Sequence, residues 1–327
     1  MAETMNAWEQ DQYGPASGVR PAQRPIPQPG RNEVLLAVRE TALNAADVHL
    51  MTGEPLLLRL VYGIRRPRNP VRGMDVAGTV VAVGAGVASA RVGDEVVVEL
   101  PGGGGLAVYA VAPVSRLAHR PPTVSAVDAA TLPMAGGTAW QALDAAAVGD
   151  GHRVLVLGAS GGVGTFAVQL AAIRGARVDA TCAARNRDVL EKLGATAIDR
   201  STPAVQLPAD TYDAVIEIAG RAPLRALRRL VRDGGTVVLV GGDDGRVLGP
   251  VPRMLRAALL SLGSRRRIRS LAATARPEIL RRLLELAAAG RLHPVIERGF
   301  PFSDAGCALA HVEAGHTVGK VVVHGGE

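Results

Sequence analysis

Gly158-Ala-Ser-Gly-Gly-Val-Gly164 closes a continuous apolar run, residues 152–159, and opens a segment in which Val163, Phe166, Ala167, Leu170 and Ile173 recur at helical spacing. An apolar run without alternation reads as a parallel strand buried on both faces. Gly175 offers the helix a stop. The spacing of the glycines has a physical use. With no side chain at Gly161 a pyrophosphate can approach the backbone, and with none at Gly164 the helix can pack closely on the strand. The helix N-terminus adds unpaired N–H groups and the positive end of its dipole. A lone glycine triplet is weak evidence; one at a strand-to-helix junction within a βαβ pattern is far stronger.

The pattern continues in that sense. A strand is expected at 177–182, a helix at 188–193 ending at Gly194, and short strands near 197–198 and 214–218. A helix at 223–232 then precedes a strand at 236–240. Strands alternating with helices predict an α/β fold with a doubly wound parallel sheet. The first 120 residues are different: 34–38, 77–83 and 95–99 are short β-branched runs cut by Gly and Pro. Beyond an amphipathic helix at 277–289, the tail returns to broken strands and ends in Lys320-Val-Val-Val323. The expected organisation is a β-rich catalytic domain from residues 1–122 and 276–327, with a nucleotide-binding domain, 123–275, inserted between them.

Composition removes several function classes. Two cysteines, Cys182 and Cys307, exclude a disulfide framework and a four-cysteine zinc site. No apolar run approaches the roughly 18 residues that span a bilayer, and the polar N-terminus does not resemble a secretory signal. A cytoplasmic protein without a membrane partner is expected. The net charge of +7 invites a nucleic-acid reading, but 35 of the 37 basic residues are arginine and aromatics are 3%. So skewed a ratio reflects genomic composition, and there is no stacking platform for single strands. The clusters Arg65–Arg66–Arg68 and Arg265–Arg266–Arg267–Arg269 read as solvated basic surface, so no nucleic-acid partner is expected.

The tip of the second strand of the nucleotide unit selects the cofactor. An NAD site usually carries Asp or Glu there to hold the ribose 2′-hydroxyl. This strand ends Thr181-Cys-Ala-Ala-Arg-Asn186, and Asp179 lies earlier, inside it. Arg185 can pair with a 2′-phosphate by charge-assisted hydrogen bonds, and Asn186 can add an amide donor. NADPH is the expected cofactor.

With the residues around them, these motifs resemble the medium-chain dehydrogenase/reductase superfamily, in its zinc-independent quinone-oxidoreductase-like branch. Leu43-Asn-Ala-Ala-Asp47 resembles the family's L-N-P-x-D, with Ala45 in place of Pro. Gly73-Met-Asp-Val-Ala-Gly78, Val83-Gly84 and Val92-Gly-Asp-Glu-Val96 are similar to its G-x-D-x-A-G…V-G…G-D-x-V series. Leu132–Leu143 matches the helix leading into the cofactor domain, Gly158–Gln169 its nucleotide loop, and Gly315-His-Thr-Val-Gly-Lys320 its closing G-x-x-x-G-K. The resemblance implies a Rossmann NADP-binding sheet inserted into a GroES-like domain, and a homodimer joined near Ile268–Ala273.

It also implies site residues. Zinc-dependent relatives place Cys where Asn44 stands and His-Glu where Met74-Asp75 stands. Neither Asn44 nor Met74 is a plausible zinc ligand, so no metal is expected. The expected activity is hydride transfer from NADPH to a quinone or activated enone. Asn44 and Thr138 are expected beside the nicotinamide and acceptor, with Asn44 able to donate an amide N–H to the acceptor oxygen. Asp47 is expected to orient a local network, and Lys320 to meet the cofactor phosphate or Asp47. The cofactor is expected on Gly158, Ser160, Gly161, Gly162, Val163 and Gly164, with Cys182 near the adenosine end. Ala219, Gly220, Val240, Gly241 and Gly242 would line its crevice. His49 and Tyr62 are candidate proton donors. A narrow-specificity biosynthetic alkene or enoyl reductase, and a non-catalytic NADPH-binding sensor or partner subunit, remain open.

Overall fold

A computed structural model describes residues 3–241 and 245–326 and divides the chain into two units. The first comprises Met1–Gly137 and Ala275–Glu327, the second Thr138–Thr274.

The first unit is built on a mainly antiparallel seven-stranded sheet. Its strands are β3 (Glu33–Leu43), β4 (Asp75–Val83), β5 (Glu95–Glu99), β6 (Tyr109–Pro113), β7 (Ala118–His119), β14 (Ile296–Phe300) and β15 (Lys320–His324). A separate pair, β1 (Thr4–Glu9) and β2 (Arg20–Pro25), runs antiparallel beside it. The helices are α1 (Ala45–Thr52), α2 (Arg59–Tyr62), α3 (Ala126–Ala130), α9 (Pro277–Ala288) and α10 (Ala305–Glu313). β15, from the far end of the chain, pairs antiparallel with β3, which pairs with β4. That register sets Leu43 opposite Val321 and Ala42 opposite Asp75, which assembles the buried cluster described below. Val34, Leu36, Val76, Val96 and Val98 fill one core of the unit. Met51, Leu106, Leu309 and Val323 fill the other.

Residues 123–137, expected in the nucleotide domain, group with this unit instead. α3 is capped at Ser125, whose hydroxyl accepts the Asp128 N–H, and it buries Ala129 and Ala130 against β3 and β4. Burial of that small apolar face outweighs the chain's proximity to the next unit.

The second unit holds six parallel strands in the order β10-β9-β8-β11-β12-β13. They are β8 (Arg153–Leu157), β9 (Arg177–Cys182), β10 (Ala195–Asp199), β11 (Tyr212–Glu217), β12 (Val231–Leu239) and β13 (Arg267–Ser270). α4 (Gly137–Ala145) enters the unit, followed by α5 (Gly162–Ile173), α6 (Arg187–Lys192), α7 (Leu224–Leu230) and α8 (Val251–Ser261). The strand order reverses between β8 and β11, so the loops leaving these strands flank the switch point where ligands bind in doubly wound sheets. Leu155, Val215, Leu227, Val237 and Ile268 form the core on one face. Among the described residues no helix is long and apolar enough to cross a membrane.

Candidate active site

In the second unit, β8 passes through Gly158 into α5. Gly158 has φ +84°, a region that favours glycine, and it lies against Ala219. A Cβ on Gly164 would fall 2.4 Å from the Gly158 carbonyl oxygen and 2.5 Å from that of Ala159. Only glycine lets the helix approach this closely. Gly161 is the N-cap of α5, and a Cβ there would meet nothing nearer than the Gly158 oxygen at 3.9 Å. The absence of a side chain therefore serves no contact within the protein. It leaves an open approach to the first-turn N–H groups of α5, which have no intrahelical acceptors. Ser160, Gly161, Gly162 and Val163 are all partly exposed.

Neighbouring strand ends extend that edge. Ala219 and Gly220 follow β11, and Val240 and Gly241 follow β12. Gly241 lies so close to β11 that a Cβ would sit 2.6 Å from the Ile218 oxygen. Gly242 lies outside the described residues. Glu217, at the end of β11, is buried and accepts the Arg221 N–H at 3.1 Å; burial raises its carboxyl while that bond and Arg253 oppose the rise.

Inside β9, ahead of its tip, Asp179 is held by partners of its own. Its Oδ2 accepts from Arg153 Nη2 at 2.9 Å, Arg153 Nε at 3.1 Å and the Tyr212 hydroxyl at 2.9 Å. The strand tip itself carries no carboxylate. Arg185 is exposed in the turn after β9, and Asn186 is buried beside it. Cys182 is buried, and burial pushes its thiol up, which makes it a poor nucleophile. From the turn after β10, the backbone N–H of Arg200 donates to the Cys182 carbonyl at 2.8 Å, which sets Arg200 beside the end of β9. Thr138 is partly exposed in the first turn of α4.

The first unit brings Asn44, Asp47, Asp75 and Lys320 together in its interior. Asn44 caps α1, and its N–H donates to Asp47 Oδ2 at 2.9 Å. Asp47 Oδ1 accepts the Gly73 N–H at 3.0 Å. Lys320 Nζ donates to Asn44 Oδ1 in a short hydrogen bond, and Asn44 Nδ2 donates to Asp75 Oδ2 at 3.0 Å and weakly to the Ala42 oxygen at 3.4 Å. Asp75 Oδ2 also accepts the Met134 N–H at 3.2 Å and lies 3.9 Å from Lys320 Nζ. Lys320 and Asp75 are 2% and 0% exposed.

Two expectations change here. The Asn44 amide is turned inward, oxygen to Lys320 and nitrogen to Asp75, so it is not the free donor expected for an acceptor oxygen. The Lys320 ammonium is spent on Asn44 and Asp75, so it does not reach out to a phosphate, and it meets Asp47 only through Asn44. Asp47 accepts the backbone N–H groups of Asn44 and Gly73.

Electrostatics follow from burial. Asp75 is pushed up to about 8 because burial penalises its charged form, an effect that Lys320 opposes and Glu99 reinforces. Burial lowers Lys320, against the pull of Asp75 and Asp47, and raises Asp47. Asp75 Oδ1 is buried with no hydrogen-bond partner. The role of Asp75 was not anticipated, yet a carboxylate inside the apolar series Met74-Asp-Val-Ala77 is a signal in itself, because a buried strand can hold one only with partners. His49 Nδ1 lies 2.9 Å from the Glu54 carbonyl oxygen. Tyr62 is partly buried near Gly102.

The donor set fits zinc poorly. The positions expected to supply ligands hold the Asn44 amide, the buried Met74 thioether and Asp75, and a buried ammonium already lies between Asn44 and Asp75.

Comparison with known proteins gives a consistent picture. A family model described as the alcohol dehydrogenase GroES-like domain matches residues 30–122, and one described as zinc-binding dehydrogenase matches residues 193–323. The chain is 39% identical over 335 residues to the chloroplastic quinone-oxidoreductase QR1 of Triphysaria versicolor, covering 98% of each. It is 30% identical to the chloroplastic NADPH-dependent alkenal/one oxidoreductase of Arabidopsis thaliana, covering 98% of this chain and 79% of that one. Among solved structures, the quinone oxidoreductase from Coxiella burnetii superposes with a TM-score of 0.87 at 28% identity, covering 98% of this chain and 99% of that one.

Proposed function

The chain belongs to the medium-chain dehydrogenase/reductase superfamily, in its quinone-oxidoreductase-like branch, and from that premise we propose that this oxidoreductase works without zinc and carries hydride from NADPH to a quinone or an activated enone. The observation that carries the zinc-free reading is the Lys320–Asn44–Asp75 cluster, which puts an ammonium among positions where zinc-dependent relatives keep metal ligands. Preference for NADPH is supported by the tip of β9, which carries no carboxylate and is followed by exposed Arg185, while Asp179, earlier in the strand, is consumed by Arg153 and Tyr212.

When bound, the nicotinamide supplies the hydride; the protein's part is to bind and orient. The open turn at Gly161 and the first-turn N–H groups of α5 would hold the pyrophosphate, and Ala219, Gly220, Val240 and Gly241 would line the crevice. Arg185, with Arg200 and Asn186 nearby, would hold the 2′-phosphate. The Asn44–Lys320–Asp75 network fixes the wall formed by the N-terminus of α1. An electrophilic acceptor needs only water or one hydrogen-bond donor to supply the proton, so no strongly acidic side chain is required. A homodimer through β13, an edge strand of the sheet, belongs to the same proposal.

The test is oxidation of NADPH, followed by absorbance, with a simple quinone and an α,β-unsaturated ketone as acceptors and NADH run in parallel. Turnover that is indifferent to a metal chelator and faster with NADPH is expected. Loss of activity on chelation, or binding of NADPH without turnover on either acceptor, would overturn the proposal.

A further inference from the structure

The loop that leaves β11 is held by a buried charge. Glu217, the last residue of the strand, is 1% exposed, and its Oε1 accepts the Arg221 N–H at 3.1 Å. The N–H groups of Gly220 and Ala222 act on the same carboxyl in less direct geometry. Gly220 takes φ +72°, the left-handed turn with which successive N–H groups converge on one anion. At the end of the loop, Arg253 of α8 donates to the Ala222 carbonyl at 2.6 Å. Arg253 also acts on Glu217 by charge, beside the three backbone N–H groups. Glu217 thus gathers the N–H side of residues 220–222 and Arg253 holds the carbonyl that closes them.

This loop carries a wall of the crevice at the switch point of the sheet. A Cβ on Gly158 would fall 3.0 Å from the Ala219 nitrogen, and one on Gly241 would fall 2.6 Å from the Ile218 oxygen. The turns after β8 and β12 therefore both close on residues 218–219. Neither turn has slack, so a small displacement of the loop is felt on both sides.

We propose that Glu217 is a positioning residue for the dinucleotide: its ionised carboxyl gathers the N–H groups of residues 220–222 and so fixes residues 218–219 between the turns after β8 and β12. The carboxyl itself touches no cofactor atom and acts through the backbone. Core packing alone does not call for a carboxylate here, since burial penalises its charge and Oε2 is left without a hydrogen-bond partner. An apolar side chain would fill the strand end at less cost but would leave the N–H groups of the loop without their anion. The role depends on the dinucleotide binding in this crevice, as proposed for the function. It also carries a signature. Burial raises the carboxyl above its ordinary range, against the N–H groups and Arg253. As the pH falls through that raised range, Glu217 takes up a proton and its hold on the loop weakens.

Fluorescence titration of the full chain with NADPH, repeated across pH, tests this. Glu217→Gln keeps the shape and removes the charge; it should bind NADPH about tenfold more weakly than the parent at neutral pH. That gap should close as the pH is lowered, because the parent then loses the same charge. The cofactor's own 2′-phosphate titrates at about pH 6 in both proteins, so the gap between the two profiles is the readout. Arg253→Met removes a charge that favours the ionised carboxyl, so its affinity should fall off at a higher pH than the parent's. Thermal unfolding reports on folding, and the Arg253→Met profile decides the matter should Glu217→Gln fail to fold. Equal binding by Glu217→Gln and the parent, a gap that stays constant with pH, or an Arg253→Met profile that does not move overturns the positioning role and leaves the cofactor site standing. A parent that binds no NADPH at any pH overturns both.

Discussion

Lys320 Nζ donates to Asn44 Oδ1 in the buried interior of the first unit, joining the first residue of β15 to the cap of α1 across 276 positions of sequence. The bond fixes which way the Asn44 amide faces, and through Asn44 Nδ2 it ties the same lysine to Asp75. A chain that uses arginine almost everywhere keeps one of its two lysines here. An ammonium and a guanidinium are not interchangeable at so buried a position, because they differ in shape and in the geometry of their donors.

Lys320→Met should lower unfolding free energy by roughly 1–3 kcal/mol, because it leaves the buried Asn44 amide oxygen without its donor. Urea unfolding checks this.

Asp75 also sets a pH dependence. It keeps its proton up to about pH 8 in the folded protein and loses it near 3.8 when unfolded. Between those values the native state binds the additional proton, so stability falls as pH rises, by at most about 1.4 kcal/mol per pH unit. The lowered lysine works in the opposite sense as the solution becomes alkaline. Unfolding free energy measured from about pH 4 to about pH 8 should decline, and Asp75→Asn should flatten the decline.

The two glycines of the nucleotide turn should separate cleanly. Gly164→Ala forces a Cβ to 2.4 Å from a carbonyl oxygen and should cost about 2–4 kcal/mol or displace α5. Gly161→Ala meets no close neighbour, so its melting temperature should stay within a few degrees of the parent. Its affinity for NADPH should fall about tenfold or more, for want of room for the pyrophosphate. Thermal unfolding with cofactor titration reads both.

Arg185→Ala should weaken NADPH binding about tenfold and leave NADH nearly unchanged, because only the former carries a 2′-phosphate. Asp179→Asn should leave the ratio between the two cofactors as it was, since that carboxylate faces Arg153 and Tyr212. A shift in the cofactor ratio on Asp179→Asn would contradict the orientation seen here.

Periodicity in the sequence carried the nucleotide sheet a long way: β9 falls on the expected 177–182, and α5 begins one residue before Val163. Such elements are legible because each buries a face of its own, and the burial period is written into consecutive residues. The same rule explains part of what escaped notice. α8 and β13 were not expected as elements: the helical recurrence of Val251, Leu255 and Leu259 was there to be read, whereas β13 has only Ile268 buried among polar neighbours and carries no period.

By itself, then, the sequence determined the alternating β/α order, the glycine turn and the want of a carboxylate at the tip of β9. Those features depend on local spacing and on residue type, which the chain states directly. Only the tertiary structure decided what Asn44, Asp75 and Lys320 do to one another. Their partnership depends on β3 pairing with β4 on one side and with β15 on the other. That register brings distant residues into a buried interior, where polar atoms are stabilised by pairing with one another.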